Sequence, residues 1–156
     1  MVKTKIVEAT QELIDLLKPQ LRKIDDAEIR ASDGRSAADG LQVGFEKSAL
    51  CWIALHNDNP VACFGVAPMS QLGTMGVPWF LATDDLPKYT RDLVKLSKPY
   101  ILKMLDKYPM LCNWRDERNQ IAKRWLKWCG FVFSAPEEYG VERRKFSQFF
   151  IDRSLV

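Results

Sequence analysis

The stretch NQIAKRWLKWCGF, residues 119–131, decides the fold of this chain. Four positions recur every three or four residues and so share one face of a helix: Asn119, Ala122, Trp125 or Leu126, and Cys129. Gly130 stands where a helix end needs a left-handed backbone conformation, and Phe131 begins the next segment. We therefore predict a helix over about 118–129 that packs on a sheet and is followed by a strand.

The segments around this helix extend the pattern. MLCNW at 110–114 is strand-like, and FVFSA and KFSQFFIDR at 131–135 and 145–153 alternate as two closing strands. Upstream, residues 88–108 carry apolar side chains at helical spacing, and Pro99 is expected to kink that helix. The second half of the chain therefore predicts alternating helices and strands.

The first half predicts three strong strands. ALCWIALHND at 49–58 and PVACFGVAPM at 60–69 flank an Asn/Asp-rich turn, which predicts a hairpin. GVPWFLATDD at 76–85 is the third strand of this group, and alternating residues at 4–10 predict a first one. Because three antiparallel strands precede two strand–helix crossovers, we expect a mixed sheet with helices on both faces.

Two helices are predicted between the first strand and the hairpin. Apolar residues recur at helical spacing after Thr10, which is a suitable cap: Leu13, Ile14, Leu17, Leu21 and Ile24. Pro19 should break or kink this helix. A second, short helix is expected over 35–48, although Gly40 and Gly44 weaken it.

Composition excludes several classes of protein. The chain has 156 residues, 47% hydrophobic and 28% charged, which is typical of one globular domain, here predicted to span 1–156. A net charge of +3 is too small to indicate nucleic-acid binding. No apolar run reaches about 18 residues, so we expect no membrane span. The first ten residues lack the apolar stretch of a secretion signal.

The four cysteines are not arranged as metal ligands. None belongs to a CxxC pair, and His56 is the only histidine, so we predict no metal site and expect buried free thiols. Cysteines that remain free thiols are typical of proteins in a reducing compartment.

The motif Asn119-x-x-Ala122, followed by Gly130-Phe131, resembles the helix that supports coenzyme A in GNAT acyltransferases. The order of strands and helices matches that fold along nearly the whole chain. The resemblance implies an α/β (α+β) fold with a mixed, mostly antiparallel sheet of six to seven strands and helices on both faces.

Residues 79–150 are also similar to the GNAT-like internal virion protein A family of short-tailed phages. The shared features are Trp-Phe-(apolar)-x-(Thr/Ser)-Asp at 79–84, Leu-Asp-Lys-Tyr at 105–108 and Arg-(aromatic)-Leu-Lys at 124–127. This similarity implies a phage or prophage origin, a location in the host cytoplasm or the virion, and phage structural or host proteins as partners. The sequence specifies no oligomeric state.

The GNAT resemblance implies an acetyl-CoA site along the strand at 76–83. In that fold this strand splays from the next one, its backbone groups hold the pantetheine arm, and one amide stabilises the developing oxyanion. The residues implied are Leu81, Ala82 and Thr83 for the arm, Lys88 and Arg91 for the phosphates, and Asn119 on the support helix.

The following loop, TDDLPKYTRD at 83–92, departs from the family pattern because it contains no glycine. Glycine lets the backbone approach phosphate oxygens closely. Asp84 and Asp85 place negative charge where phosphates would lie, and each repulsion is worth about 1 kcal/mol in a water-like dielectric. Either an aspartate or Thr90 can cap the helix that follows.

No catalytic residue is assigned from the sequence. Many GNAT enzymes carry a tyrosine seven residues after the motif asparagine, where this chain has Leu126. The strand at 76–83 offers no carboxylate as general base, although some members work through water and backbone groups alone.

Glu28 and Arg30 lie where the fold usually admits an acceptor. They could bind a polar substrate, but the favoured interpretation is an ion pair on the surface, which would contribute under about 1 kcal/mol.

Two function classes follow. The first is an acetyl-CoA-dependent N-acetyltransferase of unassigned acceptor. The second is a GNAT-shaped protein without catalysis that serves virion assembly or host interaction. The glycine-free loop at 84–92 is the feature that discriminates between them.

Overall fold

The computed structural model describes residues 4–71 and 73–155, so both ends of the predicted domain lie outside the description. The strands are β1 Thr4–Glu8, β2 Leu50–His56, β3 Asn59–Pro68, β4 Met75–Ala82, β5 Met110–Asp116, β6 Val132–Phe133, β7 Glu137–Tyr139 and β8 Arg144–Asp152. The helices are α1 Gln11–Leu17, α2 Lys23–Asp33, α3 Ala37–Lys47, α4 Leu86–Lys107 and α5 Gln120–Trp128. None of these helices is long and apolar enough to cross a membrane.

The eight strands of the described residues join one sheet in the order β1-β2-β3-β4-β5-β8-β6, and β7 also pairs with β8. β4 and β5 are parallel, whereas the other neighbours are antiparallel. The predicted mixed, mostly antiparallel sheet is therefore confirmed in type. It has eight described strands rather than six to seven, because the short strand β7, which has no alternating apolar pattern, also pairs with β8.

The β2–β3 hairpin turns at Asn57 and Asp58. Their φ angles are 49° and 66°, in the left-handed region that Asn and Asp tolerate better than most residues. The hairpin predicted from this turn is confirmed.

The helices before the hairpin differ from the prediction. α1 ends at Leu17 and Pro19 lies in a 3₁₀ turn, which confirms the break. A separate helix, α2, then begins at Lys23, and the sequence does not predict it. The reason is that one of its two buried positions is Asp25 rather than an apolar residue, so the helical pattern of apolar residues is interrupted.

Helices cover both faces of the sheet, and each face has its own buried cluster. The α1–α3 side includes Ile14, Leu17, Leu41, Ile53 and Leu81. The α4–α5 side includes Ile101, Met104, Leu105, Leu126 and Phe149. β4 thus sends alternate side chains to opposite faces, as the strand period requires.

The motif helix α5 has the predicted ends. The Asn119 side chain accepts a hydrogen bond from the Ala122 N–H at 3.3 Å, so Asn119 is the N-cap. Gly130 has a φ of 101°, the conformation expected after the helix. Phe131 is buried against Phe149, with ring centroids 5.3 Å apart.

Candidate active site

β4 and β5 are parallel neighbours that separate after two residue pairs. The register joins Met75 to Met110 and Gly76 to Leu111, and within the described ranges no further pair follows. β4 nevertheless stays paired with β3 as far as Ala82. A V-shaped gap therefore opens between β4 and β5, as the GNAT resemblance implies for this strand.

Alternate residues of β4 direct their backbone groups into this gap. In antiparallel pairing, successive residues turn their N–H and C=O groups to opposite edges of the strand. The Thr83 N–H donates to the Val61 carbonyl of β3 at 3.0 Å. Odd-numbered residues therefore face β3, and even-numbered residues face the gap.

Asn113 bridges the narrow end of the gap. Its side-chain Nδ2 donates to the Pro78 carbonyl of β4 at 2.7 Å, and its Oδ1 accepts from the Trp114 N–H at 2.8 Å. Beyond this bridge, the backbone N–H and C=O of Phe80 face the gap, and no strand of the described residues pairs with them there. They are therefore free to bind a ligand that lies along β4.

A cavity of about 330 Å³ passes through the gap. Its α2–α3 side is lined by residues such as Glu28, Ile29, Val43 and Trp79. Its α4–α5 side is lined by residues such as Phe80, Met104, Ala122 and Trp125. The volume suits a small molecule or part of one, and the opening through the sheet allows two ligands to meet from opposite faces.

Aromatic side chains fix the walls of this cavity. The rings of Phe80 and Trp125 are 4.7 Å apart. The Trp79 indole N–H donates to the Ser48 hydroxyl at 2.7 Å, and its ring packs over Gly44, where a Cβ would lie 3.0 Å from the ring. The small residue in α3 therefore leaves room for the indole.

The first turn of α2 closes the β4 side of the wide end. The Ala82 N–H donates to Asp25 Oδ2 at 3.0 Å, and the Ala82 carbonyl accepts from the Arg22 N–H at 2.9 Å. The Arg22 guanidinium also donates to the Asp25 carboxylate from Nε at 3.0 Å and from Nη2 at 2.7 Å. Both side chains are buried, so a desolvated ion pair occupies the open edge of Ala82.

One turn further along α2, Glu28 lies on the β5 side of the gap. Its Oε2 accepts a hydrogen bond from the Asp116 N–H at 2.9 Å. Burial raises the pKa of Glu28 to about 7, helped by the charges of Asp25 and Asp116 and opposed by hydrogen bonds from Asp116 and Asn119. This half-buried carboxyl group therefore changes its charge near neutral pH.

The backbone N–H groups at the start of α4 are already hydrogen-bonded to acceptors in the same segment. The Leu86 N–H donates to the Thr83 carbonyl at 3.1 Å, and the Asp85 N–H donates to the Thr83 hydroxyl at 3.3 Å. The Lys88 N–H donates to the Asp85 carbonyl at 2.9 Å, and Pro87 has no N–H. Little donor capacity remains here for a phosphate.

Neither an aspartate side chain nor Thr90 caps α4 through a hydrogen bond. Asp85 occupies the N-cap position, but its side chain makes no capping hydrogen bond, and Asp84 is exposed. Thr90 lies inside the helix, where its hydroxyl donates to the Leu86 carbonyl at 2.9 Å. Thr90 is therefore not the cap.

The residues predicted to bind the pantetheine arm lie at the gap, but their backbone N–H and C=O groups point in different directions. Leu81 lines the cavity. Of Leu81, Ala82 and Thr83, only Ala82 turns its backbone groups into the gap, because Leu81 and Thr83 are odd-numbered residues that face β3. Asn119 also lines the cavity, where it is buried and caps α5.

The predicted cationic residues lie outside the cavity. Lys88 and Arg91 are exposed on α4, and Lys88 Nζ is 3.3 Å from an Asp85 carboxylate oxygen. Arg30 is exposed on α2 and pairs with Asp26 at 2.7 Å. Glu28 and Arg30 therefore do not pair with each other, and only Glu28 lies at the site.

Sequence reasoning missed Arg22 and Asp25, which lie at the wide end of the gap. Their spacing of three residues is the spacing of an ion pair on a helix, so this signal was present. It was hidden because α2 itself was not predicted.

Neither a family model nor a curated protein matches this sequence. Solved structures do resemble the fold. Spermidine N-acetyltransferase from Vibrio cholerae, in complex with CoA and spermine, is 12% identical with a TM-score of 0.67, covering 97% of this chain and 96% of that one. AAC(6')-Ib in complex with ribostamycin and coenzyme A is 13% identical with a TM-score of 0.70, covering 98% and 95%.

A third similar structure is described as a member of the GNAT family. The acetyltransferase of GNAT family from Streptococcus pneumoniae is 13% identical with a TM-score of 0.64, and the match covers 96% of this chain and 99% of that one. At these identities the likeness shows the fold alone. The chain has the GNAT fold.

Proposed function

We propose that this protein is an acetyl-CoA-dependent N-acetyltransferase that acts on a small amine. The observation that carries the proposal is the gap between β4 and β5, which continues into a cavity lined by residues on both faces of the sheet. Two structures of the same fold contain coenzyme A, which supports the same cofactor here.

The middle of the gap fits the acetyl end of such a cofactor. When bound, acetyl-CoA supplies an acetyl group, activated as a thioester, for transfer to an amine. The Phe80 N–H faces the gap and would donate a hydrogen bond to the acetyl oxygen as that oxygen gains negative charge. The Phe80 and Trp125 rings exclude water from the same space.

The wide end of the gap, in the arrangement that the structure shows, is less suited to binding a pantetheine arm. Asp25 and Arg22 occupy the Ala82 N–H and C=O, so a pantetheine arm that pairs with Ala82 has to displace them. Lys88 and Arg91 are exposed on the first turns of α4 and would hold phosphates by charge rather than through free backbone N–H groups.

Calorimetric titration with acetyl-CoA tests this proposal. We expect a Kd tighter than ~100 μM and a loss of at least ~10-fold in Lys88→Glu, because that change reverses a charge beside the phosphates. Lys107→Glu makes the same charge change at the other end of α4 and should leave the affinity within ~2-fold. Absence of binding at millimolar acetyl-CoA, or equal losses in both variants, would contradict the proposal.

A second candidate function is favoured by a specific observation. The closed wide end and the self-bonded first turn of α4 suit a GNAT-shaped protein that has no cofactor. The similarity of residues 79–150 to phage internal virion proteins then supports a role in virion assembly or host interaction, in the virion or the host cytoplasm. For this candidate we expect no binding of acetyl-CoA and co-purification of the tagged protein with phage particles.

A further inference from the structure

The charged side chains that line the cavity differ in whether they are paired. Three arginines each have a carboxylate partner: Arg22 with Asp25, Arg35 with Asp33 and Arg115 with Glu117. Of the lining carboxylates, Asp33 is thus paired, whereas Glu28 has no cationic side chain within ion-pair distance among the described residues. The cavity therefore holds one carboxylate whose charge is not balanced by a direct partner.

The groups around Glu28 do not supply that balance. Asp25 and Asp116 both face it with negative charge, and each is already paired, Asp25 with Arg22 and Asp116 with Arg118 at 2.6 Å. Arg118 is near enough to feel the charge of Glu28, but its guanidinium donates to Asp116 from Nε and Nη2. An ionised Glu28 therefore attracts a cation from the cavity side.

Apolar side chains form much of this face of the cavity, beside Ser32 and the Arg35–Asp33 ion pair. Ile29, Val43, Val77 and Trp79 line the cavity between α2, α3 and β4. A second ammonium group on a ligand would meet either these apolar side chains, at a cost for an unpaired charge, or a carboxylate that already has an arginine partner.

On these observations, and resting on the proposed acetyl transfer, we infer that Glu28 binds the ammonium group of a monoamine with an apolar body, which enters from the α2–α3 face. The Glu28 carboxylate then takes one proton from the ammonium nitrogen. This yields a neutral carboxylic acid and a neutral amine whose lone pair is available for attack. A polyamine such as spermidine does not match a site with one unpaired carboxylate.

Calorimetry of the whole protein, without cofactor, tests the amine site. Phenethylamine serves as the monoamine probe, and 2-phenylethanol is its uncharged counterpart of the same shape. At about pH 8, where Glu28 is ionised, we expect phenethylamine to bind at least ~10-fold more tightly than 2-phenylethanol and than spermidine. At about pH 5.5 the advantage over 2-phenylethanol should largely disappear, because Glu28 is then protonated.

A matched pair of variants separates Glu28 from general charge effects. Glu28→Gln should lose at least ~10-fold in phenethylamine affinity at about pH 8 and lose the pH dependence. Glu12→Gln removes an equal charge from an exposed position on α1 and should bind like the wild type. Should Glu28→Gln fail to fold, the comparison of phenethylamine with 2-phenylethanol on the wild type still tests whether the site binds an ammonium group. Equal affinities for the amine and the alcohol at both pH values would overturn the inference.

The acetyl-CoA titration is independent of this result. Binding of acetyl-CoA without selective binding of phenethylamine would refute the amine site and leave the proposed function standing. Selective, pH-dependent binding of phenethylamine without any binding of acetyl-CoA would refute the proposed function and support the amine site.

Discussion

Replacing Asp25 by alanine should destabilise the protein strongly. The Asp25 carboxylate accepts three hydrogen bonds, two from the Arg22 guanidinium and one from the Ala82 N–H. Both partners are buried, so truncation leaves a desolvated guanidinium and an unpaired backbone N–H. Breaking a buried ion pair from one side costs ~3–5 kcal/mol, and we expect Asp25→Ala to lose that much free energy of unfolding.

The double variant Arg22→Met/Asp25→Leu separates a buried charge from a general packing defect. It removes both charges and keeps apolar volume, so most of the lost stability should return, apart from about 1–3 kcal/mol for the unpaired Ala82 N–H. Asp15→Ala breaks an exposed ion pair with Lys18 and should change little.

Urea unfolding followed by tryptophan fluorescence, with linear extrapolation to water, measures all of these variants. A loss below about 1 kcal/mol in Asp25→Ala would show that the pair does not hold α2 on β4. A double variant that is less stable than the single one would refute the argument that the unpaired charge is the main cost.

Three further outcomes follow from the structure. Gly76→Ala should lose about 1–3 kcal/mol in urea unfolding, because its Cβ would lie 2.7 Å from the Tyr108 ring where β4 and β5 part. Asn119→Ala should lower the thermal midpoint through the lost cap, about 1 kcal/mol, whereas Asn119→Ser should keep most of it. The pKa of Glu28 is about 7 in the folded protein against an ordinary value of 4.5, so the folded state binds more protons between these pH values. Wild-type stability should fall by as much as about 3 kcal/mol as pH rises through this window, and Glu28→Gln, compared at each pH, should remove that part of the decline.

The motif helix could be predicted because its signals are local. The Asn119 cap acts on a residue three positions away, and Gly130 needs its backbone conformation whatever it packs against. The hairpin at Asn57 and Asp58 could be predicted for the same reason. Short-range steric and hydrogen-bonding requirements leave a pattern in the sequence that one chain suffices to display.

The wide end of the gap could not be predicted because its contacts are distant in the chain. Asp25 and Ala82 are separated by 57 positions, and Glu28 and Asp116 by 88. A buried aspartate also interrupts the apolar pattern that would have revealed α2. The sequence pattern therefore points to Asp84 and Asp85 as the competing negative charge, whereas the carboxylate that occupies the gap is Asp25.

One helix, α2, makes both of these distant contacts. A change at one edge of the gap is therefore coupled to the other edge through this helix. α2 holds β4 through Asp25 and β5 through Glu28, one turn apart. A pantetheine arm that displaces Asp25 from Ala82 therefore removes one of these two contacts of the helix that carries the proposed amine-binding carboxylate, and it also moves one of the charges that raise the pKa of Glu28. Linkage makes such an effect reciprocal: the factor by which cofactor binding changes amine affinity equals the factor by which the amine changes cofactor affinity.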